Sequence, residues 1–120
     1  MMIKRIIIPL CDDEVAPRFD LATEVMIAII SGKNTIEEKK NVVLPRSSPE
    51  DLCHRILAEN ISVLICGAIE DEYYQFLKWK KLSIFDNVSG KCDVAFERYL
   101  NDSLKNCDLL SERVIEGKNV

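Results

Sequence analysis

The sequence predicts an α/β domain: a mixed five-stranded sheet with its first strand central and helices packed on it. Three observations carry this. The chain opens on "IKRIIIPL", a density of β-branched residues suited to a strand buried on both faces. Residues 23–44 read as a hairpin around the turn signal "SGKN". From Ser47 onward the periodicity switches to an α-β-α-β-α order, whose strand–helix–strand units make right-handed parallel connections.

Each element has its own signal. Pro9 belongs near the end of the first strand, because proline cannot donate to a central ladder. "CDDEVAPRFD" is a polar loop leading to a strand over Glu24–Ile30. In "TIEEKKNVVL" the charged centre marks an exposed outer strand, where lysines discourage edge-to-edge pairing. "SSPED" starts a helix, with a serine cap, Pro49 at the first helical position and acids at the positive end of the dipole. Leu52, Cys53, Ile56 and Leu57 share one face of that helix, and Asn60 closes it. "ISVLICG" is a short buried strand, and "AIEDEYYQFLKWKK" a second helix with the stripe Ile69, Tyr73, Phe76 and Leu77. "LSIFDNV" is a further core strand, parallel to the one at 61–66. Gly90 then precedes a last helix in which Cys92, Phe96, Leu100 and Leu104 recur every four residues. Residues 106–120 are a C-terminal extension that extends this helix, packs on a partner or frays.

Composition bounds the function. With 120 residues, 48% of them hydrophobic and 30% charged, the chain makes one domain with a real core. A net charge of −4 with scattered lysines and arginines argues against a nucleic-acid footprint. The apolar runs are too short to span a bilayer, and the N-terminus lacks the features of a secretory signal, so a cytoplasmic location is expected. The five cysteines, Cys11, Cys53, Cys66, Cys92 and Cys107, are odd in number and form no CxxC pair. That argues against a disulfide scaffold or zinc finger and favours thiols acting as small buried hydrophobes.

In a sheet of this kind ligands bind at the carboxyl ends of the parallel strands. That edge carries Leu10, Cys11 and Asp12, then Cys66, Gly67 and Ala68, then Asp86, Asn87 and Val88, and "VAPRFD" begins there too. Were the first and fourth strands neighbours, Cys11 and Cys66 would come within reach of each other and suit a soft metal or iron–sulfur species, structural burial being the alternative. Gly67 allows a tight strand-to-helix turn, but Glu70, Asp71 and Glu72 already satisfy the following helix dipole and argue against a strong anion site. His54, the only histidine, sits on a helix flank beside Cys53 without forming a chelate, and no catalytic triad can be built around it. Asp12, Asp13, Asp20 and Asp86 are candidate ligands of a divalent-metal hydrolase, yet "IIIPL" projects no carboxylate, so they read as solvated loop acids.

The segments "IIIPL", "VAPRFDLA", "VLICGAI" and "AFERYLNDSL", in this order and spacing over about residues 1–105, resemble the dinitrogenase iron–molybdenum cofactor biosynthesis family. The resemblance implies a three-layer ribonuclease H-like fold and a non-enzymatic role in a family related to nitrogen fixation. Members bind or carry iron–molybdenum cofactor or its metal–sulfur precursors, and a related branch holds a molybdenum–copper sulfide cluster. Together with the strand-end reading, it points to Cys11, Pro17, Arg18, Phe19, Cys66 and Gly67 as cofactor-binding positions, with Cys11 and Cys66 as metal ligands and a protein partner in cofactor delivery. Pro17, Phe19 and Ala22 match the family's loop. Arg18 stands at its histidine, Asp20 at its glycine and Leu21 at its arginine, while Ala68 and Glu70 replace further glycines. The alternative is a protein–protein or regulatory module that kept the fold without the cluster, with a homodimer formed through the charged outer strand or residues 106–120.

Overall fold

The computed structural model describes residues 3–32 and 34–106. Its centre is β1 (Ile3–Cys11), flanked by antiparallel β3 (Glu24–Ser31) and parallel β5 (Val63–Ile65). β4 (Thr35–Val43) adds antiparallel to β3, and β6 (Ser83–Phe85) adds parallel to β5, giving the order β4-β3-β1-β5-β6. The five expected strands are present with the first one central. A sixth, β2 (Glu14–Val15), folds back on the end of β1 with Leu10 opposite Val15 and Cys11 opposite Glu14. A two-residue strand has no periodicity of its own to read.

Alternation along β1 feeds a core on each side of the sheet. Ile6, Ile8 and Leu10 join Cys92, Ala95 and Phe96 of α3 (Cys92–Leu100). Ile7 joins Leu52, Cys53 and Ile56 of α1 (Pro49–Ala58) and Leu77 of α2 (Asp71–Trp79). The result is a three-layer α/β domain. Both faces of β1 are dry, which is why its isoleucines run without a polar break. No helix of the described residues is long and apolar enough to cross a membrane.

Pro9 lies near the end of β1, as expected, and still pairs with β3 opposite Val25. Its carbonyl accepts from the Ala16 amide at 2.9 Å, so its backbone polar edge faces away from β3. The parallel β1–β5 register stops at Ile7 and Leu64, before Pro9, so the donor that proline lacks has no ladder partner to miss.

The helix ends follow one device. Ser48 caps α1 by accepting from the Asp51 amide at 3.2 Å, with Pro49 at the first position. Asn60, Lys81 and Asp102 follow the three helices in left-handed conformation. Backbone bonds from Ile61 to Ile56, Leu82 to Leu77 and Ser103 to Arg98 close the last turns. The third stop corrects the expected run to Leu104: α3 ends at Leu100, and Leu104 reaches the core from beyond the turn. The α2 stripe is also narrower than its spacing suggested. Leu77 alone of Ile69, Tyr73, Phe76 and Leu77 is fully buried, and Phe76 stays 38% exposed.

β4 is the exposed, charged edge expected of it. Lys39 lies 5.3 Å from the Phe96 ring centroid, and the Asn34 amide donates to the Leu100 carbonyl at 2.7 Å, fastening the hairpin to α3. Apart from residue 106, the C-terminal extension lies outside the described residues.

Candidate functional site at the strand ends

The carboxyl ends of β1, β5 and β6 are sewn together by backbone hydrogen bonds. After β1 the chain turns at Asp12, which is left-handed, and returns as β2. Val15 donates to the Gly90 carbonyl at 2.8 Å, and Cys92 donates to Asp13 at 3.0 Å, tying this turn to the start of α3. The Lys91 ammonium sits 2.9 Å from the Asp13 carboxylate and holds that carboxyl below its ordinary pKa.

The "VAPRFD" segment then crosses to the turn after β5. Ala68 donates to the Pro17 carbonyl at 2.9 Å and Phe19 donates to the Ala68 carbonyl at 2.8 Å, so Arg18 and Ala68 form a short parallel bridge. Gly67 makes this approach feasible: a Cβ there would stand 2.6 Å from the Pro17 oxygen. Asn87 and Val88, after β6, donate to the Gly67 and Cys66 carbonyls at 2.9 and 3.0 Å. The mixed character of the loop follows from this position. Phe19, in a short 3-10 turn (Phe19–Leu21), is buried and lies 6.2 Å from the Tyr73 ring, while Pro17 and Arg18 face solvent.

The structure thus gathers Pro17, Arg18, Phe19 and Gly67 around one turn. The two thiols are in unlike surroundings. Cys11 is exposed at the β1–β2 turn, whereas Cys66 has no accessible surface and packs with Phe19, Leu64 and Leu77. Burial, with the Asp86 carboxylate adding to it, pushes the Cys66 thiol far above its ordinary pKa. The Arg18 guanidinium is engaged by Asp20 through two contacts of 3.1 and 2.7 Å. Among the described residues, no group of three or more His, Cys, Asp or Glu side chains is arranged to hold a metal ion. His54 is exposed on α1, as its flank position predicted.

A second concavity was not legible as a site. Between α1 and α2 lies a groove of about 710 Å³, walled by Cys53, Leu57, Ala58, Tyr73 and Phe76, with Glu50, Glu72 and His54 also lining it. The Tyr73 hydroxyl donates to the Glu50 carboxylate at 2.7 Å, lowering the pKa of Glu50 and raising that of Tyr73. The sequence signal was the aromatic pair of the α2 stripe, which reads equally well as core.

No protein-family model and no curated protein matches this sequence. Solved structures do match. PH0822 superposes with a TM-score of 0.76 at 19% identity, covering 85% of this chain and 93% of that one. The Methanocaldococcus jannaschii protein MJ0327, provisionally called a dinitrogenase, gives 0.71 at 21% identity over 88% and 95% of the two chains. A Thermotoga protein, TM1290, provisionally called a NifB protein and placed in the DUF35 family, gives 0.64 at 15% identity over 92% and 99%. At these identities the likeness establishes a shared fold.

Proposed function

We propose that this chain is a non-enzymatic binding module on a nitrogenase cofactor-related scaffold, and that its strand-end thiols do not hold a metal–sulfur cluster. The scaffold half of this reading is supported by the provisional names of two structural neighbours, dinitrogenase and NifB. Fold alone does not carry function, so the site must carry the rest. The observation that does so is the burial of Cys66, whose thiol has no accessible surface to present to a cluster at the strand ends. The neighbouring charge agrees. Asp12 and Asp86 lie at the edge without an ion pair among the described residues, and Arg18 is already paired with Asp20.

The test is anaerobic isolation followed by assay of iron, molybdenum, copper and acid-labile sulfide. The protein should be colourless and free of metal, and should take up neither tetrathiomolybdate with copper(I) nor iron with sulfide in stoichiometric amount. Bound metal and sulfide that vanish in the Cys11→Ser, Cys66→Ser double variant would overturn the proposal.

That outcome belongs to a second reading, carriage of a metal–sulfur cofactor or precursor as cargo. It is favoured by Cys11, whose thiol is exposed at the end of the central strand. Pro17, Arg18, Phe19, Cys66 and Gly67 would then line the same seat. On this reading Cys11→Ser alone removes cluster uptake.

A further inference from the structure

We propose that the groove between α1 and α2 binds a small organic amine with an apolar or aromatic body, a site separate from the strand ends. The volume, about 710 Å³, is that of a small-molecule site rather than of a packing defect. Its walls are apolar and include the Tyr73 and Phe76 rings; Phe76 remains 38% exposed although it lies on the inner side of an amphipathic helix.

The charge around the groove selects the ligand. Glu50 and Glu72 line it and no lysine or arginine does. Neither carboxylate has an ion-pair partner among the described residues. Around α1, by contrast, Asp51 pairs with Arg46 and Glu59 with Arg55. Glu50 is also held in place, since the Tyr73 hydroxyl donates to one of its oxygens at 2.7 Å and keeps it ionised. A fixed carboxylate, a second one at the start of α2 and the Tyr73 ring offer an ammonium charge-assisted hydrogen bonds and cation–π contact, while Phe76, whose ring already has the Lys80 ammonium 5.7 Å from its centroid, supplies apolar wall. A carboxylate or phosphate ligand would meet like charge, and a neutral apolar ligand would gain no charge-assisted hydrogen bond.

The test uses 3-phenylpropylamine, with 3-phenylpropan-1-ol and 3-phenylpropionate as neutral and anionic counterparts, titrated into the full chain and followed by amide shifts. The amine should bind with a Kd of about 10 mM, the affinity reachable by ten or so heavy atoms. Its shifts should centre on α1 and α2. The alcohol should bind about tenfold more weakly, the scale of one charge-assisted bond, and the carboxylate not measurably. Glu50→Gln with Glu72→Gln should bring the amine down to the alcohol's affinity, while Phe76→Ala weakens both. The variants replace exposed or partly exposed side chains, and an unchanged unfolding midpoint separates lost binding from lost fold. Equal affinity for all three compounds, shifts elsewhere, or no saturation would overturn the proposal. Each of these results is independent of whether the strand ends take up a cluster.

Discussion

Gly67→Ala tests whether the strand-end loop is held as described. A Cβ at this position would lie 2.6 Å from the Pro17 oxygen and 2.8 Å from its carbonyl carbon, and closer still to the Ala16 oxygen. All three are backbone atoms, and their segment is anchored on both sides: Ala16 donates to Pro9, and Pro17 and Phe19 bond to Ala68. Relief therefore requires pulling the loop off the turn. Two backbone hydrogen bonds at about 1 kcal/mol each, with about 1–2 kcal/mol of residual overpacking, give a loss of about 3–4 kcal/mol. Gly32→Ala is the control. Gly32 has φ of 55° and nothing within 4 Å of an added Cβ, so the cost there is the left-handed backbone alone, about 1 kcal/mol. Urea unfolding followed by far-UV circular dichroism reads the difference as a lower midpoint at a common slope. Trimming Ala16 to glycine should not rescue Gly67→Ala, because the obstruction is a carbonyl oxygen. A Gly67→Ala midpoint equal to that of Gly32→Ala would refute the account of this turn.

Thiol labelling provides a second check. In a Cys107→Ser background, Cys11 should react with a disulfide reagent at once. Cys53 and Cys92, pushed up to about 11 by burial, and Cys66, pushed higher, should wait for unfolding. Rapid reaction of a second thiol would contradict the burial. Tyr73→Phe removes the hydroxyl that lowers the Glu50 pKa. Because a lowered carboxyl contributes stability above its unfolded pKa and loses it as pH falls through the folded value, the gap between wild type and variant should be open at neutral pH and close in acid. A gap that does not change over that range would assign the effect to packing instead.

Much of the frame is legible in the residues. The unbroken isoleucines of β1 specify a strand with two dry faces, and Ser48 with Pro49 specifies the start of α1 before any tertiary contact is known. The misreadings share a cause. Leu104 keeps the four-residue spacing of α3, but Asp102 turns the chain left-handed, so the same buried side chain arrives by another route. Phe76 and Leu77 both fit the α2 stripe, and only the position of α1 decides which is covered. β2 exists through pairing with β1 and a bond to Gly90, neither of which leaves a local pattern. The site was half legible. The strand-end edge and the loop could be named, but the engagement of Arg18 by Asp20 and the enclosure of Cys66 are tertiary facts.

The way the strand ends are joined also orders events in time. The β3–β4 hairpin closes over a short turn, whereas β1 meets β5 only when Ile6 finds Val63, across the whole hairpin and all of α1. Long closures are costly in chain entropy and come late. The bonds between Pro17, Phe19 and Ala68 depend on that closure, so the strand-end edge is expected to assemble after the hairpin and to open before it. Amide exchange at Phe19 and Ala68 should then report the docking of the parallel half onto the hairpin half, and their protection should be lost together while that of β3 persists.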